Sequence, residues 1–268
     1  MSKFTPEQNK EFWNEFSKKA NDCPYGASGN KHLVEIENTF IKSVLQKINP
    51  ETILDIGCGN GQRTLYFSKY ASGKIIGVDY SEGMINEANK LLQKQDKTIK
   101  EKLSFIKYDV NDFPDNTTFD VIISCRCIIN QPSHERQIEL FHKIFDRLNH
   151  GGSLIISEIS MEGMERLNQI RNKYHLPPMN ERWHNLHINE KIIFTEIEKI
   201  FKIKTIQRAG VFYFISRVLH PAITYPKEPE TEAKINDIAV MSQSLFDKED
   251  KNSLEKYGAH LLIHLVKK

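Results

Sequence analysis

Apolar residues recur at two different spacings along this chain. Between Lys31 and Ile48 they return every three or four positions, at Leu33, Ile36, Phe40, Ile41, Val44, Leu45 and Ile48. That spacing predicts a helix with one buried face. A second helix is predicted from Pro6 to about Asn21, with Thr5 as its cap, proline in the first turn and Phe12, Trp13 and Phe16 on one face. Downstream, short unbroken apolar runs alternate with helical stretches. "TILDI", "KIIGVDY", "LSFIKYDV", "FDVIISC" and "SLIISEI" read as buried strands. Gln62 to Tyr70, Ser81 to about Gln95, and Ser133 to Asn149 read as helices. Strands alternating with helices in this way predict a parallel sheet covered on both faces.

After Ile159 the pattern changes. Residues 160–189 are polar and broken by "LPP", so an inserted, substrate-facing segment is expected there. A helix from about Asn189 to Phe201 and a strand "KIKTIQ" follow. Residues 211–255 read as an insertion of helices around "YPKEPETEAK". "AHLLIHLVKK" closes with a strong strand pattern, and a last pair of strands at the sheet edge is expected to include an antiparallel one. The domain reading is an N-terminal helical lid over residues 1–30 and one domain over 31–268.

Composition narrows the functional classes. The 268 residues are 39% apolar and 27% charged, the balance of a soluble globular protein. Lysine and arginine number 37 against 35 acidic residues, a net charge of +2. No charge block marks a nucleic-acid or membrane surface. The start lacks the apolar core of a signal peptide, and no apolar run is long enough to span a bilayer. Four cysteines make no disulfide framework, so reduced thiols and a cytoplasmic location are expected.

The stretch "ILDIGCGNGQR" places Gly57, Gly59 and Gly61 directly after a strand and ahead of a helix. Bare backbone there lets a ligand approach, and the helix start offers free N–H groups. A dinucleotide loop reads GxGxxG. Here the third glycine comes one residue early, and Asp55 would repel a pyrophosphate. That carboxylate suits a ligand with a cationic amino group. S-adenosylmethionine has an ammonium, a sulfonium and no phosphate.

"LDIGCGNG" resembles the first motif of class I S-adenosylmethionine-dependent methyltransferases. "GVDYSEGM" and "FIKYDVNDF" resemble the second and third, and "FDVIISCRCIINQP" and "RLNHGGSLIISEIS" the fourth and fifth strands. The resemblance covers about Glu51 to Ser160 in order and spacing. It implies a seven-stranded, mostly parallel Rossmann-like sheet with helices on both faces. It also implies S-adenosylmethionine as cofactor and S-adenosylhomocysteine as product. Gly57, Cys58, Gly59 and Gly61 would cradle the methionine part and ribose, with Asp55 ordering the loop near the amino group. Asp79 would accept the ribose hydroxyls. Tyr80 and Met84 would flank the adenine, which Asp109 and the Val110 N–H would hydrogen-bond. Cys125 would touch the methionine tail, and Arg126 would begin the acceptor pocket.

Acceptor residues are sought outside the motifs. "RWHNLH" offers Arg182, Trp183, His184 and Asn185; His184 is the first candidate for a general base, since histidine titrates near neutrality. Glu158, at the carboxyl end of the fifth strand, is the second. Arg126, Arg171 and Arg182 together would suit an anionic acceptor. Asn130 and Tyr25 are further candidates, Tyr25 as part of a lid over the cofactor. "NQPS" lacks the terminal aromatic of the turn that stacks a flipped base, so a nucleic-acid acceptor is disfavoured. His184 and His187, or Cys125 and Cys127, find no second pair of ligands, so no metal is expected. The chain is similar to small-molecule methyltransferases of surface-polysaccharide and secondary-metabolite type. The reading is therefore methyl transfer to an oxygen or nitrogen of a small, anionic or sugar- or nucleotide-linked metabolite. RNA or protein methylation, and a non-catalytic S-adenosylmethionine-binding regulator, stay open, as does the oligomeric state.

Overall fold

The strand Ile53–Ile56 (β1) is buried at every position, and it sits in the interior of the sheet. Around it the strands run Leu103–Lys107 (β3), Ile75–Asp79 (β2), β1, Phe119–Cys125 (β4), Leu148–Ile159 (β5), His260–Lys267 (β7) and Phe201–Arg208 (β6), in that spatial order. β3, β2, β1, β4 and β5 are mutually parallel; β7 is antiparallel to both neighbours. The molecule is a computed structural model that describes residues 3–20, 23, 25, 30–112, 117–247 and 254–268. Positions 24 and 26–29 of the "CPYGASGN" loop lie outside the described residues. So do Phe113 of the third motif and residues 248–253 of the expected insertion.

Two apolar layers hold the helices to the sheet. On one face Lys31–Ile48 (α2) lays Leu33, Ile36, Phe40 and Ile41 against Ile53, Ile75 and Val121 of the strands. Gln62–Phe67 (α3) and Glu82–Gln93 (α4) complete this layer near the first strands. On the other face His134–Asp146 (α6) and Glu190–Ile200 (α8) bury Leu140, Phe141, Ile144, Ile193 and Ile197 against Leu54, Ile122 and Ile156. The helix starts are capped as their sequences require: Asn30, Ser81, Ser133 and Asn189 each accept a backbone N–H three residues on.

The expected sheet, its motifs and the N-terminal helix Pro6–Ala20 (α1) are present. Two details differ from expectation. A short helix, Lys97–Lys102 (α5), precedes β3. The polar segment after Ile159 opens as a regular helix, Met161–Lys173 (α7). Its weak apolar periodicity hid it, since only Gly163, Leu167 and Arg171 are buried. The last pair of strands does form the sheet edge and includes an antiparallel one, β7, which lies inside β6 because its "HLLIHL" run is apolar on both faces. The 211–255 region forms Gly210–Phe214 (α9), a π-helical turn at Ile215–Leu219, His220–Thr224 (α10) and Lys234–Phe246 (α11). Among the described residues no helix is long and apolar enough to cross a membrane.

Candidate active site

The carboxyl ends of β1, β2 and β4 open on a cavity of about 660 Å³, a size suited to a cofactor and a small second molecule. Its floor is the glycine loop. Gly57 has φ 68°, and a Cβ there would come within 2.8 Å of Cys127 Cβ and Sγ. Gly59 has φ 56° and open space where a Cβ would point. At both positions the left-handed backbone favours glycine. The loop therefore presents backbone, not side chain, to whatever fills this end.

Asp79 ends β2 and clamps that loop. Its Oδ2 accepts from Gly59 N at 3.0 Å and its Oδ1 from Ser81 N at 2.8 Å. Each oxygen keeps one further acceptor site. Burial pushes the Asp79 carboxyl up to about 6, against the pull of the two N–H donors. Asp55 is buried below, where Thr64 Oγ1 donates to its Oδ2 at 2.6 Å. Burial raises it also to about 6, opposed by Thr64 and Arg63 and assisted by Asp79. Tyr80, Met84, Asp109 and Val110 continue the wall. Asp109 Oδ1 is engaged by Asn111 N and Nδ2, both at 2.9 Å. Cys58 and Cys125 also face the cavity. Gly61 does not line it; it starts α3 from φ 77°.

The roof comes from α1 and the segment after α7. Asn9 Nδ2 donates to Asn130 O at 3.1 Å and to His184 O at 3.2 Å, and Trp13 Nε1 donates to Asn130 Oδ1 at 3.2 Å. Lys3 Nζ donates to Asn185 O at 2.7 Å and pairs with Glu181. α1 rests on α4 at Gly83, where a Cβ would meet Ser17 Oγ. Tyr25, Asn130, Arg182, His184 and Asn185 all line the same cavity.

His184 is buried and stacked on Phe12, centroids 4.1 Å apart. Burial, then the charges of Arg182 and Lys3, hold its pKa down to about 4. Its Nδ1 has no hydrogen-bond partner among the described residues. The ring is neutral at pH 7, an acceptor but a weak base.

Besides Gly61, three expected site residues are not on the cavity wall. Glu158 is fully buried behind the turn that follows β4. Its Oε1 accepts from Cys127 N at 3.0 Å and Ile128 N at 2.8 Å, and burial pushes it up to about 8. Arg171 turns away, donating to Pro177 O and to Arg217 O. Trp183 is 49% exposed, edge-on to Phe12 and His184.

The same cavity is also lined by residues not named as site candidates from the sequence, among them Leu33, Arg63, Met164, Met179, Tyr213 and Arg217. Beneath it lies a buried ionic cluster. Glu37, fully buried, meets Arg63 Nη1 at 2.9 Å, His260 Nε2 at 2.8 Å, Ser157 Oγ at 2.8 Å and Arg126 Nε at 3.5 Å. The arginines hold the Glu37 carboxyl far below its usual range despite burial. Arg126 takes φ 56°, rare for a non-glycine residue, where β4 turns into the cavity. The available signals were slight: a lone arginine within the apolar "VFYFISRVL", and Arg63 two residues past the glycines. Among the described residues no three His, Cys, Asp or Glu side chains gather as metal ligands would.

Comparison with known proteins agrees with this geometry. Residues 53–152 match the methyltransferase domain family. An uncharacterised methyltransferase of Schizosaccharomyces pombe is 34% identical over 99 residues, 35% of this chain and 34% of that protein. A sterol 24-C-methyltransferase of Pneumocystis carinii is 35% identical over 104 residues, 38% of this chain and 26% of that one. The chain thus spans a third or less of the length of these two curated relatives. Magnesium protoporphyrin IX methyltransferase of Synechocystis PCC 6803, solved with S-adenosylhomocysteine, superposes with TM-score 0.60 at 14% identity, covering 97% of this chain and 98% of that chain. The N-methyltransferase NodS of Bradyrhizobium japonicum WM9, also with S-adenosylhomocysteine, gives 0.57 at 12%, covering 95% and 98%. At such identities these two likenesses speak for the fold.

Proposed function

Since residues 53–152 are a methyltransferase domain in the class I Rossmann-like fold, we propose that this protein transfers a methyl group from S-adenosylmethionine to a small acceptor held in the same cavity. The observation that carries the reading is the Asp79–Gly59 clamp: an acid at the tip of β2 fixing bare backbone at the tip of β1, on the wall of a large cavity. Bound S-adenosylmethionine would supply an electrophilic methyl on sulfur.

The chain's own residues do the rest. Asp79 has two free acceptor sites for a ribose diol, and Gly57 and Gly59 give the room beside it. Asp55 lies close enough beneath to attract an ammonium. Tyr80 and Met84 offer apolar surfaces for a purine, and Val110 N–H and Asp109 its polar edge. Cys125, on the cavity wall, would lie beside the methionine tail. α1, through Trp13 and Asn9, keeps water from the reacting end, with Tyr25 on the same wall. Holding donor and acceptor in line can supply about 7–11 kcal/mol.

The acceptor atom is an oxygen or nitrogen of an anionic or sugar- or nucleotide-linked metabolite, approached from the side of Arg126, Asn130 and Arg182. His184 would orient it by accepting a hydrogen bond and would take a proton only from an acidic donor. The test is calorimetric titration with S-adenosylhomocysteine, followed by its release from S-adenosylmethionine across a metabolite panel. Asp79→Ala should lower affinity at least tenfold; unchanged affinity would remove the ribose role. Binding without release for any acceptor would favour a regulator.

A further inference from the structure

The cavity wall holds more positive charge than the fold uses. Arg63, Arg126 and Arg217 all reach the cavity wall; among the described residues Glu37 pairs with the first two, and Asp55 lies near Arg63 as a second acid. His260 shares Glu37 and burial pulls its pKa below the usual value, so it adds no lasting charge. Glu158 is pushed up to about 8 and is uncharged at neutral pH. Arg63 is committed to the fold, its Nε on Asn38 Oδ1 and its Nη1 on Glu37.

Arg217 is different. Among the described residues its guanidinium has neither a carboxylate nor a carbonyl partner, only the face of Phe212 at 5.9 Å. Burial draws its pKa below the usual arginine value, with the Tyr213 hydroxyl alone opposing that shift. Arg171 brings a second cation close, donating to the Arg217 carbonyl. The Tyr213 ring is buried, and its hydroxyl has no hydrogen-bond partner among the described residues; it senses Arg217, Arg126 and Glu37 at once. Arg217 also sits within the π-helical turn Ile215–Leu219. Such turns are rare and often mark functional sites, because the added residue redirects side chains. A partly desolvated, unpaired guanidinium is costly to keep unless an anion is to occupy it.

We propose that Arg217, the Tyr213 hydroxyl and Arg126 form an anion subsite that receives a carboxylate or phosphate of the methyl acceptor. The guanidinium of Arg217 offers a two-pronged edge to such a group. Tyr213 donates a third hydrogen bond, and Met164 and Met179 give the acceptor's apolar body a flexible wall. The anion would anchor the acceptor and leave its nucleophile free to face the methyl group. This inference rests on the methyl-transfer reading for what the anion belongs to.

The experiment titrates three probes of one shape, benzoate, phenyl phosphate and benzamide. Each is added to the full chain with and without saturating S-adenosylhomocysteine and followed by calorimetry. At least one anion should bind tenfold or more tighter than benzamide, and the preferred one tells carboxylate from phosphate. Arg217→Gln should abolish that preference, Arg217→Lys should keep part of it, and Tyr213→Phe should weaken anion binding about three- to tenfold. S-adenosylhomocysteine affinity should be unchanged in all three. Equal binding of benzamide, no binding of either anion, or unchanged anion binding in Arg217→Gln would overturn the subsite. Should Arg217→Gln fail to fold, Tyr213→Phe and Arg217→Lys decide. If wild-type protein did not bind S-adenosylhomocysteine, the methyl-transfer reading would fall, while the ligand-free titrations would still judge the subsite.

Discussion

Asp55 and Asp79 each titrate near pH 6, well above an ordinary aspartate, because both are buried within one loop. In the ligand-free protein the native state therefore holds protons that the unfolded chain has already released above about pH 4. Stability should fall as pH rises from about 4 to 6. A ligand that needs these carboxylates ionised should show the reverse dependence. S-adenosylhomocysteine affinity is expected to drop about tenfold between pH 7 and pH 5 for each acid that must be charged. Calorimetry at several pH values checks this, and Asp79→Asn should flatten the curve. Glu158 makes a second case. Held neutral near pH 7, it serves the two backbone N–H groups of Cys127 and Ile128. Glu158→Gln should cost under about 1 kcal/mol in urea unfolding, and Glu158→Ala about 2–4 kcal/mol, since it strands both donors. Loss of turnover in the stable Gln variant would instead mark it as a participant in proton transfer. The sequence placed Glu158 at the strand tip, but which way a strand-end side chain turns depends on packing, and here Ser124 and the turn after β4 draw it inward.

Among elements, α1 is joined to the site by side chains rather than by the sheet. Asn9 and Trp13 tie it to Asn130 and His184, and Ser17 seats it on Gly83. Removing residues 1–20 should leave the far-ultraviolet circular dichroism of the remaining helices and strands in place. It should weaken S-adenosylhomocysteine binding tenfold or more. The strands were legible because parallel strands buried on both faces read as continuous apolar runs, as in "FDVIISC". α1 and α2 were legible from their apolar faces and caps. α7 was not, because a helix that buries one leucine, one glycine and one arginine carries little periodicity. Arg217 was equally silent: it is remote in sequence from every motif, and only the chain path brings it to the wall that holds Arg126.

At the scale of the whole molecule, Glu37 is the point where five elements meet. Its carboxylate joins α2 to Arg63 of α3, Arg126 past β4, Ser157 of β5 and His260 of β7. Glu37→Ala would leave two arginines partly buried without their acid. The expected loss is about 3–5 kcal/mol, seen as a lowered thermal midpoint. Because its folded pKa is depressed, this stability is present above the unfolded value near 4.5 and is lost as pH falls further. The cluster also underlies the acceptor lobe, so Glu37→Gln should disturb acceptor binding more than S-adenosylhomocysteine binding.

The placement of β7 between β5 and β6 sets an order of assembly. β6 is synthesised some fifty residues ahead of the strand that must join it to the rest. Until residues 260–267 leave the ribosome, β5 keeps a raw flank and β6 has no hydrogen-bonding neighbour at all. A nascent chain halted at that stage exposes two adhesive edges at once, and it would lack His260, one partner of the central acid. Pausing there should invite chaperones or clumping.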